Sequence, residues 1–271
     1  MKHSWKFSPG GTIWRVHPAV SGRFVGEERD LEQRRVTFFA LDFSTGRVLW
    51  KGLAVEEDWW TGIERVDGDL LFVHSFASPD LPTHQGITVI DISKGRVLWA
   101  NPGWTLKAVK GDRLIVRGDH RAGQGIIVVG SRTGEILPGE VNPGVPAEED
   151  LSWREDVAFP DPVSMEELVS HPAGQVVFKK WKREQVSSMV ELLELPPRVL
   201  VAAALRRKGL REETLDQELL VVNTATGKAE HSVTLIRDSK GPVMESFFVQ
   251  NGMLVYVRKG KTLCGIMMGE A

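Results

Sequence analysis

Cysteine is almost absent from this 271-residue sequence, in which Cys264 stands alone. One cysteine cannot form a disulfide within the chain, so an internal disulfide framework is excluded and a reducing compartment is favoured. Its neighbours Leu263, Ile266 and Met267 are apolar, which predicts a buried structural thiol in place of a reactive one.

The sequence also has no excess of basic charge and no long apolar run. It contains 34 Lys and Arg against 36 Asp and Glu, for a formal net charge of −2. This balance argues against a nucleic-acid partner. Every apolar run is far shorter than the roughly 20 residues of a membrane span. The first residues, MKHSWKFSPGG, contain no apolar core of a secretory signal. We therefore expect a cytoplasmic protein with no membrane partner.

Motifs that carry chemistry are missing as well. The sequence has no GxSxG, no P-loop and no CxxC. Gly123-Gln124-Gly125 is too short for a dinucleotide fingerprint and lies in a predicted hairpin. No cofactor is predicted, and the sequence favours a protein that is not an enzyme.

An internal repeat is the strongest feature that is present. Ala40–Trp50 reads ALDFSTGRVLW and Val89–Trp99 reads VIDISKGRVLW, with the same Asp, Ser, Gly, Arg, Val, Leu and Trp in both. Fainter copies follow at Val128–Pro138 and Val221–His231. In each copy an apolar run ends in Asp, Gly or Asn, and a glycine precedes the next run.

This repeat unit predicts a β-hairpin. Asp42 can accept hydrogen bonds from turn amides, and Gly46 can adopt the positive φ that the reversal requires. The flanking runs do not show the i, i+3, i+4 spacing of a helix. The turn glycines recur at about 40 to 50 residues or twice that distance, which is typical of four-stranded propeller blades. The repeated Trp50 and Trp99 are expected to pack between blades.

The repeated phrase resembles the repeat of the quinoprotein (PQQ-like) β-propeller superfamily. The longer pattern resembles an uncharacterised bacterial domain-of-unknown-function family. That resemblance implies a fold and no activity. The segments that carry it are Ile13–Arg15, Glu28–Glu32, Glu56–Ile63, Asp80–Ile87 and Ser246–Gly265.

We therefore expect one all-β domain over residues 1–271, a propeller of four-stranded antiparallel blades. Counting strands gives six blades, with five or seven as alternatives, and the N-terminal strand completes the last blade. One short helix is predicted near 162–170, with Asp161 as its N-cap and Pro162 at its first position. A strand is predicted over 175–182.

Candidate site residues come from loops that a propeller gathers on one face, since loops on a rigid scaffold usually carry function. The loops are 29–34, 56–60, 75–85, 102–104 and 118–124. The candidate ligand-binding residues within them, with His74 beside them, are Glu56, Glu57, Asp58, Trp59, Trp60, His74, Asp80, His84, Asp119, His120 and Arg121.

The segment EEDWW, residues 56–60, is the most suggestive of these loops. Its carboxylates and indoles suit a sugar or a cationic group. The alternative is that one Trp belongs to the core, the other covers a channel mouth, and the acids are solvated. Carboxylates for glycoside hydrolysis could come from Glu56, Glu57, Asp58 and Asp80. The histidines 74, 84 and 120 lack metal-ligand spacing, so no metal is predicted.

Three functions fit these features. The first is a binding or scaffold module for a protein partner or a small-molecule ligand, and the absence of catalytic motifs favours it. The second is an enzyme acting on a sugar or quinone-like molecule in an axial pocket. The third is a partner in envelope assembly, against which the missing signal sequence and lipidation cysteine argue.

Overall fold

Antiparallel strands make up most of the regular structure in the computed structural model, and two short α-helices accompany them. The structure describes residues 1–19, 22–56, 59–78, 81–120, 123–138, 157–207, 214–241, 243 and 246–269. The chain divides into two compact units. One is Pro9–Glu155, and the other joins Met1–Ser8 to Asp156–Ala271. The expectation of one domain over the whole chain stays a prediction.

The unit Pro9–Glu155 contains three antiparallel sheets. Sheet I has the strands β2 (Thr12–Ala19), β3 (Arg23–Asp30), β4 (Arg35–Asp42) and β5 (Val48–Leu53); sheet II has β6 (Thr61–Asp67), β7 (Leu70–Ser78), β8 (Leu81–Asp91) and β9 (Arg96–Asn101); sheet III has β10 (Thr105–Lys110), β11 (Arg113–His120) and β12 (Gly123–Gly130). Sheets I and II are four-stranded meanders, which confirms the predicted blade-like architecture.

Alternating side chains of sheet II build two hydrophobic cores. Leu71 and Ile90 pack with Phe38 of sheet I, whereas Phe72 and Val89 pack with residues of sheet III. Because successive residues of a strand point to opposite faces, one sheet can contribute to both cores. Sheet II is therefore covered on both faces, as the continuous apolar runs of its strands require.

The repeated turns have the predicted chemistry. Asp42 accepts hydrogen bonds from the Thr45 amide and hydroxyl, and these bonds hold the pKa of its carboxyl below the usual range. Gly46 adopts a φ of 67°, the left-handed conformation that favours glycine. Asp91 accepts a bond from the Lys94 amide in the second copy. The hairpin interpretation of the repeat is confirmed.

The repeated tryptophans link each sheet to the next turn. The Trp50 indole donates to the Ile92 carbonyl at 2.6 Å and lies against Gly95. Trp99 repeats the arrangement one sheet further on, where it donates to the Ser131 carbonyl at 2.9 Å. The predicted packing of both tryptophans between sheets is confirmed.

The other unit contains two five-stranded sheets. One has the order β1 (Trp5–Phe7), β21 (Thr262–Met267), β20 (Met253–Arg258), β19 (Phe247–Gln250) and β13 (Val157–Ala158); the second has the order β14 (Asp161–Val163), β15 (Val186–Leu195), β16 (Arg198–Arg206), β17 (Leu215–Asn223) and β18 (Lys228–Ser239). The N-terminal strand pairs with β21, where Trp5 lies opposite Gly265. Cys264 is buried and free, and burial raises the pKa of its thiol.

The helices of this unit differ from the prediction. Helix α1 (Met165–Ser170) has Ser164 as its N-cap, and Ser164 forms a capping box with Glu167. Asp161 and Pro162 lie instead on the edge strand β14, where proline is tolerated because no neighbour needs its amide. Helix α2 (Gly174–Lys180) replaces the expected strand over 175–182. Val177 of this helix and its C-cap residue Trp181 belong to the same hydrophobic core, and they are four residues apart, the spacing of one helix face.

Five sheets occur in the part of the chain that the structure describes, so the expected six blades are not confirmed. The difference arises where β15 pairs with β16, which joins the expected fourth and fifth blades in one sheet. Within the same described residues, no helix is both long and apolar enough to cross a membrane.

We predict that Gly95→Ala destabilises the protein by about 3 kcal/mol, from overlap and left-handed strain together. A Cβ at residue 95 would lie 2.5 Å from the Trp50 ring, and the φ of 61° disfavours any side chain. Gly227→Ala is the matched control, because Gly227 has a φ of 64° with nothing within 4 Å of the added atom. That control should cost only about 1 kcal/mol. Urea unfolding measures both, and equal losses would contradict the prediction.

Candidate functional site

The structure describes five of the predicted site residues with their side chains: Glu56, Trp59, Trp60, His74 and His84. Glu57, Asp58, Asp80 and Arg121 lie outside the described residues. Asp119 and His120 belong to β11, where only their backbone pairing with β12 is described. The expected approach of His120, Asp80 and Asp119 to the other histidines therefore stays a prediction.

Two of the predicted loops are strands. Residues 75–78 and 81–85 continue β7 and β8, where Ser75 pairs with Gln85 and Phe76 with His84. Residues 118–120 and 123–124 continue β11 and β12 in the same way. Serine, histidine and glutamine in these segments suggested loops, but cross-strand hydrogen bonding decides the structure. The candidate side chains on β7 and β8 consequently stand on a rigid element.

An aromatic cluster forms at the end of sheet II. The imidazole rings of His74 and His84 stack face to face, with centroids 3.6 Å apart and planes 7° from parallel. The Phe76 ring meets both edge-on, at 4.9 Å from His74 and 5.2 Å from His84. The Trp60 ring also meets Phe76 edge-on, with centroids 6.4 Å apart. The structure thus brings together three of the predicted residues around a phenylalanine.

Glu64 completes this cluster, although it was not predicted as a site residue. Its Oε2 lies 2.6 Å from Nδ1 of His84. The register of β6 and β7 shifts between Ile63 and Arg65, so Glu64 is the extra residue of a β-bulge. A bulge re-aims a side chain relative to plain alternation. The only signal in the sequence is a carboxylate that interrupts the apolar pattern of the strand.

His74 is the buried member, with 5% of its surface exposed. Its Nδ1 lies 3.2 Å from the Ser75 carbonyl oxygen. A carbonyl only accepts, so Nδ1 carries the proton and the neutral ring has its lone pair on Nε2. Burial, followed by the nearby His84, lowers the pKa of His74 to about 4. His74 is therefore a neutral imidazole at neutral pH.

One ligand atom from each of Glu64, His74 and His84 lies within 4.8 Å of the other two. Two imidazoles and one carboxylate are donors that zinc accepts. A ring nitrogen binds a metal along its lone pair, in the plane of the ring. Because the two rings are stacked and parallel, their lone pairs do not meet at one point. The observed arrangement is a hydrogen-bonded stack, and it becomes a chelating set only when one ring turns.

A second cluster, around Arg29, lies beside the first. The guanidinium of Arg29 stands 4.8 Å from the Trp14 ring and 5.3 Å from the Trp59 ring. Its Nε donates to Glu27 at 2.7 Å, and it also donates to the Thr61 carbonyl at 3.0 Å. Trp14 was not predicted as a site residue. It occupies a β-bulge between Ile13 and Arg15 and is 55% exposed.

Glu27 connects the Arg29 cluster to sheet II. Its side chain is fully buried, and its Oε2 accepts a hydrogen bond from the Ile63 amide at 3.1 Å. The same oxygen and Nε2 of His74 both face Gly62, at 3.2 and 3.1 Å from the point where a Cβ would stand. Glycine at this position leaves room between a carboxylate and an imidazole lone pair.

A surface cleft of about 370 Å³ opens next to these clusters. The crossover from β5 to β6 contributes Val55 and Glu56, and the hairpin of β7 and β8 contributes Phe76 and Gln85. Phe76 also lines this cleft, and its ring contacts both imidazoles of the stack. This volume falls in the usual range for small-molecule sites, roughly 300 to 1,000 Å³.

The two predicted tryptophans have different surroundings. Trp59 packs partly against the core between sheets I and II and faces Arg29 and Arg34. Trp60 contacts Phe76 at the margin of the cleft. Both indoles are half-buried. The expectation that one Trp belongs to the core fits Trp59, and a binding role for Trp60 stays a prediction.

We predict that Glu27→Gln destabilises the protein by about 2 to 4 kcal/mol, because the Arg29 side chain, which is only 16% exposed, loses the counter-charge of the buried Glu27 carboxylate. Glu32→Gln on the exposed turn between β3 and β4 is the control and should change stability by less than about 0.5 kcal/mol. Urea unfolding of the two variants makes the comparison. Equal stabilities would show that the Glu27–Arg29 pair does not hold this end of the sheets together.

Comparison with known proteins assigns no activity to the chain. Among solved structures, the chain is similar to BamB from Moraxella catarrhalis, with a TM-score of 0.34 and 12% identity over 97% of this chain and 64% of that one. It is similar to the quinohemoprotein alcohol dehydrogenase ADHIIG from Pseudomonas putida HK5, with a TM-score of 0.30 and 12% identity over 99% of this chain and 44% of that one.

The β-propeller domain of the Trilobed protease from Pyrococcus furiosus gives a TM-score of 0.31 and 9% identity, over 97% of this chain and 70% of that domain. The chain spans less than two thirds of BamB and of the dehydrogenase. No functional argument follows from similarities this low. No curated protein matches the chain.

Sheets I and II carry the family similarity. Residues 19–99 match the family model described as a domain of unknown function, DUF4905. This range contains β3 to β8 and most of β9, including Glu27, Arg29, Glu64, His74 and His84. The resemblance to an uncharacterised domain-of-unknown-function family is confirmed over residues 19–99.

Proposed function

We propose that this protein is a binding module whose ligand site is the cleft at the end of sheet II. The observation that carries the proposal is that residues far apart in the sequence lie close together in the fold. Described residues from four separated segments singled out in the sequence, 13–15, 28–32, 56–63 and 80–87, lie close together in the unit Pro9–Glu155. Arg29 touches Trp14 and Trp59, and His84 touches Phe76 next to Trp60.

The lining of the cleft favours a small polar molecule with one apolar face, such as a sugar. Glu56, Gln85 and Asn101 supply hydrogen-bonding groups, and Phe76 and Pro102 supply apolar surface. Sugars combine hydroxyl groups with a face of C–H bonds, so they suit a site with both kinds of surface.

The cleft is largely formed by strands, which supports binding without a large rearrangement. Phe76, Gln85 and Asn101 all lie on strands of sheet II. The Gly86 amide also donates to the Trp104 carbonyl at 2.7 Å, which ties β8 to the segment that leads into sheet III. Binding groups on rigid strands lose little conformational entropy when a ligand arrives.

An enzyme acting on a sugar or quinone-like molecule is the second candidate. The 2.6 Å pair of Glu64 and His84 favours it, because a carboxylate can orient an imidazole as a general base. However, Ser75 pairs with Gln85, one position along from the Phe76–His84 pair, so its side chain points to the opposite face of the hairpin. The adjacent serine is therefore not placed as a nucleophile for His84.

We predict that, in a panel of sugars, nucleotides and quinones, a sugar raises the melting temperature of the purified protein. A ligand at about 100 times its dissociation constant adds roughly 2.7 kcal/mol to the free energy of unfolding. Phe76→Ala and Glu56→Gln should each lower the affinity for this sugar at least tenfold, and the shift in melting temperature should shrink accordingly. Glu135→Gln, on an exposed turn of sheet III, should leave it unchanged.

Consumption of the bound compound during the assay would favour the enzyme. A panel of sugars, nucleotides and quinones that leaves the melting temperature unchanged would contradict the small-ligand site. A protein partner would then be the better account, and co-purification from cells would be the next measurement.

We also infer a cytoplasmic location, from the single free Cys264 and the nearly balanced charge. Fractionation of cells that express the native gene tests this, with the protein expected in the cytoplasmic fraction. Recovery from an extracytoplasmic fraction would contradict the inference and favour a role in envelope assembly.

A further inference from the structure

We propose that Glu64, His74 and His84 bind a first-row divalent metal ion of the zinc type. The donor set is two imidazoles and one carboxylate, with all three groups within 4.8 Å of one another. Zinc is commonly held by three such protein ligands and a water molecule. The site is separate from the groups that line the sugar cleft, apart from the shared neighbour Phe76.

Three adjacent strands deliver the three donors. Glu64 is on β6, His74 on β7 and His84 on β8, and these strands are hydrogen-bonded neighbours in sheet II. The bulge at Glu64 turns its carboxylate to the side on which His84 lies. Donors on strands are held more precisely than donors on loops, and this precision is what a metal site requires.

His74 has the supporting contact of a metal ligand. Its Nδ1–H donates to the Ser75 carbonyl, which fixes the ring orientation and places the lone pair on Nε2. Metal-bound histidines usually donate their other ring nitrogen to a backbone carbonyl or a carboxylate. The Phe76 ring, edge-on to both imidazoles, forms an apolar wall that limits access of water.

His84 is the group that must move. Its ring is parallel to that of His74, so binding requires it to turn until its lone pair meets that of His74. The His84 side chain is 40% exposed and that of Glu64 is 26% exposed, so an ion can reach both. Binding exchanges the Glu64–His84 hydrogen bond and the ring stack for bonds to the ion.

The test is a titration of the full chain with Zn²⁺, and with Co²⁺ as a spectroscopic probe. We expect one ion per chain with micromolar or tighter affinity, and visible Co²⁺ absorption of a four- or five-coordinate site. His74→Phe, His84→Phe and Glu64→Gln should each weaken binding at least tenfold, because each removes one of three ligands. In ¹H–¹⁵N spectra, the imidazole nitrogens of both histidines should shift when Zn²⁺ is added.

His171→Gln is the matched control. His171 forms the other described pair of a histidine with a carboxylate, 3.2 Å from Glu194, in the second unit and without a second imidazole. Its loss should leave the affinity unchanged. Thermal unfolding in the presence of a chelator checks that each variant folds. If His74→Phe does not fold, Glu64→Gln and His84→Phe still test the proposal.

Two results would overturn the proposal. One is the absence of any stoichiometric binding of Zn²⁺ or Co²⁺ by the folded protein. The other is binding that the three ligand variants leave unchanged, or that His171→Gln weakens as much as they do. The sugar panel is run in chelator, so failure of the metal site and failure of the proposed function remain distinguishable.

Discussion

The contact between each repeated tryptophan and the next turn glycine is the constraint on which the unit Pro9–Glu155 depends. Trp50 lies against Gly95, and Trp99 lies against Gly134 one sheet later. Each indole also donates to a carbonyl of the turn that it covers. Glycine is required in that turn both for its positive φ and because a Cβ would overlap the ring. The repeat therefore specifies how each sheet packs on the next as well as the hairpin itself.

The three sheets of this unit share one structural feature at which their residue types differ. The first strand of each sheet in this unit contains a β-bulge, between Ile13 and Arg15, between Ile63 and Arg65, and between Leu106 and Ala108. The bulged residues are Trp14, Glu64 and Lys107, an indole, a carboxylate and an ammonium group. One residue that flanks each bulged residue is buried and holds the strand in place. The bulged position is thus free to change chemistry without loss of packing, and two of the three residues belong to the candidate site.

The sequence predicted those features that depend on a single residue type, such as turns. It did not predict the features that depend on how two strands pair. The Asp and Gly of the repeat predicted the turns around Asp42 and Gly46, and the strands of sheets I and II followed. Glu64 and Trp14 could not be selected, because a bulge is a property of two strands in register. The segment 75–85 looked like a loop for the same reason. Helix α2 was missed because the β-branched pair Val176–Val177 favours a strand locally, whereas packing of Val177 and Trp181 on the core favours a helix.

The polar groups buried at this end of the sheets argue for a function there. Glu27, Thr61 and His74 are all buried, and each has a partner: Arg29 binds Glu27, Thr61 donates to the His74 carbonyl, and His74 donates to Ser75. A satisfied buried ion pair stabilises a fold little more than apolar residues of the same shape, and often less. The two hydrophobic cores of sheet II already hold the strands together without these groups. Stability alone therefore gives no reason for a buried carboxylate and a neutral imidazole to face the same glycine. Recognition of a ligand or an ion does give one, because it needs polar groups held in fixed positions.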